Sequence, residues 1–306
     1  MPAVLPRAIV CAGFGVFISA LYQAGWPVGL PVLGSLVPSI VLGLLLVFRT
    51  NTAYERFWEG RKLWGHLVNT NRNLARHMWV SIQEQSPRDR AEKQQAIRLL
   101  VAYALATKLH LREEPLDDEI DALLIAPSAG AVPLLTQQQF DKLKSVHHPP
   151  LEVALWIADY LQSCRDRGLL HPYQLAATLS QLDQMVDVLG GCERILRTPI
   201  PLAYTIHLKQ LLMLYCIALP FQVVDALQWG TGFVVALVSF AVFGIEAIGI
   251  EIENPFGRDP NDLPLDAICR NMHRNIEDMM TVSPRLHSSD RPFEALPTPP
   301  HRSLEE

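Results

Sequence analysis

Two long reaches of this sequence contain no lysine or arginine: Ala8 to Phe48 and Gln210 to Gly257. All 26 basic residues lie outside them, and nineteen fall between Arg49 and Lys209. Soluble domains rarely segregate charge so completely, and the pattern argues for membrane insertion. Recognisable catalytic signatures are missing too: there is no nucleophile elbow, phosphate loop, dinucleotide fingerprint or CxxC pair, which removes the easily read enzyme classes. Nothing points to nucleic acid. Cysteine is scarce and odd in number, and Cys11, Cys164, Cys192, Cys216 and Cys269 are scattered, so thiols rather than disulfides are expected. His147-His148, His66 and His77 lack metal-ligand spacing and read as surface or core residues.

What fills the basic-free stretches is apolar. Each runs for about forty to fifty residues, and a helix crosses a bilayer in roughly twenty, so each can hold two crossings. The first gives candidate spans over 8–26 and 30–48, broken by Gly25, Pro27 and Gly29, with Trp26 at an interfacial position. The second gives 208–224 and 230–250, the earlier of them short and interrupted by Pro220. Basic residues favour the cytoplasmic side, which places 49–207 and both termini in the cytoplasm.

Beyond Arg49 the second span runs on without a breaker, and Phe57, Trp58, Trp64, Leu67, Leu74 and Trp79 recur at near-helical intervals, as one long helix leaving the membrane would require. Further amphipathic helices are expected over 87–112 and 150–164. The Asp-, Pro- and Ala-rich segment 113–148 reads as a loop with short turns. After Pro172, Leu175, Leu179, Leu182, Val186 and Leu189 form a stripe that Gly190-Gly191 is expected to stop. A last cytoplasmic helix is expected over 261–282 with Pro264 in its first turn, then a disordered tail over 283–306. The expected fold is all-α, with 1–282 as one unit.

Three blocks carry a resemblance. SIVLGLLLVFRTNTAYERFWEGRKLWG ends the second span, GGCERILRTPIPLAYTIH precedes the third and ENPFGRDPNDLPLD follows the fourth. Together, in order and covering about Leu33 to Met280, they resemble a bacterial bestrophin. The resemblance implies a homopentameric ion channel in the bacterial inner membrane, with four spans per subunit and a large cytoplasmic helical region.

It also implies particular residues. The apolar neck of the family's pore falls on Leu36, Ile40 and Leu44, four apart on one helical face, where a ring of apolar side chains can gate by dewetting. Leucines so spaced serve equally as packing or lipid-facing residues. Aliphatic side chains stand here where animal members carry aromatics. Ser39 and Gly43, between the neck positions, suit close helix packing. A cytoplasmic aperture maps to Tyr173, or to Pro172 or Gln174 if the alignment carries a one-residue indel. Asn254, Asp259 and Asp262 match a calcium clasp of animal members in degenerate form: Arg258, Pro260 and Asn261 replace acidic positions, and nothing before Leu5 matches the segment that completes the clasp. Capping of the last helix by Asp is the favoured role, and no cofactor is expected.

Glu246, inside the fourth span, should face protein or water. Arg49, Arg56, Arg61 and Lys62 lie where lipid phosphates would meet them. The expected function is passive conduction of small monovalent ions. Cations are favoured over chloride on family grounds, with the formal charge of -5 mildly in the same direction, and anion conduction stays open. A non-channel scaffold, or a transporter or enzyme using Glu246, are the rivals.

Overall fold

In a computed structural model, residues 4–30, 36–115 and 133–281 are described, with the side chains of Leu36 and Val37 outside that set. Among the described residues the regular structure is entirely helical. In chain order the helices are α1 (Val4–Gln23), α2 (Leu36–Ser81), α3 (Pro87–Arg112), α4 (Gln137–Ser145), α5 (Pro149–Asp166), α6 (Pro172–Arg197), α7 (Leu202–Leu227), α8 (Thr231–Glu251) and α9 (Leu265–Thr281), with one 3-10 turn, Gln228–Gly230, between α7 and α8. They form two compact units. One comprises 1–67, 108–114 and 187–265, and the other 68–107, 115–186 and 266–306.

The first unit holds the apolar helices. Val4–Gln23 and the run Leu202–Glu251 are long and apolar enough to cross a membrane. Gly25, at φ 85°, ends α1: its amide donates to the Tyr22 carbonyl and the Trp26 amide to the Leu21 carbonyl, the paired bonds of a Schellman stop. α7 passes through Pro220 and reaches 26 residues, longer than the span expected there. Membrane helices tolerate such a proline when neighbours satisfy the backbone.

Small residues set the crossing of α1 with α8. A Cβ on Gly15 would lie 3.0 Å from the Gly232 Cα, and one on Gly232 would strike Val16. Beside that contact, fully buried Ser19 donates to the carbonyls of Gly15 and Gln228. Such close approach replaces the hydrophobic drive that a lipid environment withholds. At the other end, Val4, Leu42, Leu46, Leu208, Leu212, Cys216 and Phe243 make a core shared by α1, α2, α7 and α8.

The second unit is built around α3, which is buried without a break from Ala96 to Thr107. Several of its polar groups are matched individually, though the buried Thr107 hydroxyl has no partner among the described residues. Lys93 donates to the carbonyls of Trp79 and Ile82 at 3.1 and 3.0 Å and pairs with Glu84. The Tyr103 hydroxyl donates to Met185 O at 2.9 Å, and Arg98 forks onto Glu277. Fully buried polar side chains are stabilised by partners of this kind.

Three expectations change. The segment read as a loop over 113–148 contains α4, nucleated by a capping box in which Thr136 and Gln139 exchange bonds; the T-x-x-Q signal was present in the sequence. Gly190-Gly191 does not stop α6, which continues to Arg197. Gly191 is buried instead, and a Cβ there would sit 3.0 Å from Leu63 of α2, so glycine serves a close helix approach. The last helix begins at Leu265, just after Pro264, rather than enclosing it. The expected tail over 283–306 lies outside the described residues.

Candidate pore-lining face and the arginine clamp behind it

α2 has two unlike sides. At 100° per residue, Leu42, Leu46, Arg49, Ala53, Gly60 and Trp64 share one face, and all are buried. Ile40, Leu44 and Val47 share the opposite face and are 64%, 52% and 64% exposed. Two of the three residues expected at the neck are thus one turn apart, apolar and uncovered by the other described residues. The third, Leu36, begins α2 with its side chain outside the described set. Gly43 has open space where a Cβ would stand, and Ser39 is exposed, so among the described residues neither is closely packed.

Tyr173, in the second unit, is the second residue of α6 and 83% exposed. Its ring stacks on His171 with centroids 5.3 Å apart, and its amide donates to His171 Nδ1. Apart from that stacking, the ring stands largely clear of the described residues of its unit.

Behind the exposed face of α2, the three sequence blocks meet. Arg49, only 2% exposed, donates to Thr205 Oγ1 at 2.8 Å and to Glu253 Oε2 at 3.1 Å. The other Glu253 oxygen accepts the Ile200 amide at 3.1 Å. Arg56 donates to the carbonyls of Glu253, Ile195 and Thr198. The planar guanidinium fork suits this multiple recognition where an ammonium would not. One turn further, a Cβ on Gly60 would lie 2.9 Å from Pro255 Cγ, so the NPFG turn seats directly on α2, with Phe256 fully buried. Arg49 and Arg56 are therefore structural clamps rather than head-group ligands, whereas Arg61 and Lys62 remain exposed. Sequence reading missed Glu253 as their partner because the two segments lie about two hundred residues apart.

The NPFG turn closes on itself. Asp262 Oδ2 accepts the Asp259 amide at 2.8 Å, Asn254 Oδ1 accepts the Phe256 amide at 3.3 Å, and the Leu263 amide donates to Pro255 O. Asp262 thus caps the turn three residues before Leu265 rather than α9 itself. Its second oxygen is buried without a partner, and burial pushes its carboxyl above the usual range. Next to it Arg258 forks onto Glu114 at 2.6 and 2.9 Å, a hydrogen-bonded pairing that holds the Glu114 carboxyl below the usual range. Of the residues matching the calcium clasp, Asn254 and Asp262 each already use one side-chain oxygen to accept a main-chain amide, while Asp259 is exposed.

Glu246, as expected, points inward. It is 3% exposed and lies 3.6 Å from Arg7.

An all-helical fold with membrane-length apolar helices defines the class as a helical membrane protein. The family model described as Bacterial/Fungal Bestrophin protein matches residues 1–278, and the chain belongs to that family. A voltage-dependent anion channel-forming protein of Nostoc is 59% identical over 94% of this chain and 90% of its own length. A Synechocystis protein of the same description is 55% identical over 93% of this chain and 89% of its own. The crystal structure of a bacterial bestrophin homologue from Klebsiella pneumoniae superposes with a TM-score of 0.78 at 28% identity, covering 90% of this chain and 98% of that one. The expected preference for cations is overturned by these relatives, which are described as anion channels; net charge of the whole chain says little about the field in a pore.

Proposed function

We propose that this chain is a subunit of a passive anion channel of the bacterial inner membrane. The observation that carries the reading is the near full-length identity of 59% and 55% to proteins described as voltage-dependent anion channel-forming. Four spans per subunit, cytoplasmic termini and assembly as a homopentamer are part of the proposal, with Leu36, Ile40 and Leu44 ringing an apolar neck and Tyr173 at a cytoplasmic aperture. The exposed Ile40 and Leu44 support this, since an apolar face left bare by its own subunit suits a position beside a pore. Conduction needs no energy source.

The test is a planar-bilayer recording of the purified protein under a chloride gradient. The reversal potential is expected to move toward the chloride equilibrium value; movement toward the cation value, or no current, refutes the reading. Ile40→Ala is expected to raise flux by widening the constriction, and an unchanged conductance would remove the neck assignment. Tyr173→Ala separates the aperture from the neck by changing relative permeability among anions of different size.

A further inference from the structure

α1, α7 and α8 enclose a cavity of about 560 Å³, within the usual range of ligand sites. Its two ends differ in chemistry. Arg7, Lys209 and Glu246 stand where α1 and α7 begin and α8 ends, while Val10, Met213 and Phe243 form the wall leading away from them. Val10 and Met213 are 71% and 63% exposed, so the wall opens along the outer face of the apolar helices.

Glu246 decides what fits. Its side chain is 97% buried and lies 3.6 Å from Arg7, an ion pair beyond hydrogen-bond reach. A carboxylate buried in this way needs a donor. Arg7 and Lys209 are both exposed and offer the opposite charge at the same end.

From this charge pattern we infer that the cavity binds a phospholipid whose head group carries both a phosphate and a primary ammonium, as phosphatidylethanolamine does. The phosphate faces Arg7 and Lys209, the ammonium donates to Glu246, and one acyl chain lies along Val10, Met213 and Phe243. A free zwitterion would leave the apolar wall uncovered. A choline head group has no N–H to donate, and a glycerol head group brings no positive charge to the carboxylate. The inference rests on the membrane placement of these helices and is independent of which ion is conducted.

The full chain would be reconstituted in nanodiscs of equal phosphatidylethanolamine, phosphatidylcholine and phosphatidylglycerol, released into mild detergent and examined for retained lipid by native mass spectrometry. Phosphatidylethanolamine is expected to be retained roughly tenfold over phosphatidylcholine, the ratio that one hydrogen bond to a charged group supplies. Glu246→Gln should return the ratio toward that of the disc. Met213→Trp, at an exposed position that folding does not depend on, should abolish retention with assembly size unchanged. No retained lipid, preference for phosphatidylglycerol, a preference that survives Glu246→Gln, or cross-linking of cysteines placed at Val10 and Met213 to a second copy of the chain would each overturn the inference. None of these readouts depends on ion flux, so the channel proposal and this one fail separately.

Discussion

Helix α3 carries Arg90, Lys93, Arg98 and Lys108, yet it is buried continuously from Ala96 to Thr107. Helix α1 carries a single charge, Arg7, and only five of its twenty residues are buried. If burial followed composition alone the order would be reversed. The difference lies in what each helix meets: α3 is surrounded by its own chain, while α1, α7 and α8 leave much of their apolar surface uncovered by the described residues. In the second unit apolar burial holds the fold, with Lys93 and Arg98 paired to Glu84 and Glu277. In the first, where lipid is as apolar as leucine, fixed polar contacts and close approach of small residues take over that role.

This contrast can be broken at defined points. The largest effect is expected from Arg49→Ala, which leaves Glu253 without its partner behind α2 and should cost about 3–5 kcal/mol. Loss of folded assembly on size-exclusion chromatography and a lowered melting transition would register it. Leu100→Ala, at a fully buried position of α3, should cost about 2–5 kcal/mol. Leu214→Ala, 64% exposed on α7, should change stability by less than about 0.5 kcal/mol. Equal losses from the two leucine variants in denaturant titration would refute the contrast.

Gly232→Leu should then cost about 1–3 kcal/mol by overpacking the α1 crossing, and Gly13→Ala, where no atom would meet the new methyl, serves as its control. The smallest effects concern pH. Glu114 has its folded pKa depressed, so its contribution is present above the unfolded carboxylate range and fades as pH falls through the folded value. Asp262 has the opposite sign, its raised folded pKa disfavouring the ionised form at neutral pH. In calcium-free buffer Asp262→Asn should slightly raise the melting temperature at pH 7, with the gain disappearing in acid. Glu114→Gln should lower it at pH 7. Melting curves across pH distinguish the two, and a destabilised Asp262→Asn would show that the carboxylate has a partner in solution.

Much of the fold was legible because its signals are local. The missing basic residues marked the apolar helices, Pro87 and Arg112 bounded α3 where periodicity placed it, and the Gly25 break became a Schellman stop. Other features were hidden because one residue type serves two purposes. Gly190-Gly191 has the composition of a helix stop, and only the proximity of Leu63 shows that Gly191 is needed for packing. The basic run below the second span likewise has the composition of a lipid-facing patch. Its two clamping arginines could be told from Arg61 and Lys62 by helical phase alone, since 49, 53, 56 and 60 share the buried side. At the neck, spacing placed Ile40 and Leu44 on one face, and the structure adds that this face is uncovered.

Arg56 has a consequence for the charge that α2 presents. The carbonyls it donates to, those of Ile195, Thr198 and Glu253, lie at the C-terminal ends of α6 and α8, where helix dipoles concentrate partial negative charge. Its charge is offset there, and that of Arg49 by Glu253. Of the basic residues in this part of α2, Arg61 and Lys62 stay exposed, so the field they project is strong in dilute salt and screened within about 8 Å at physiological ionic strength.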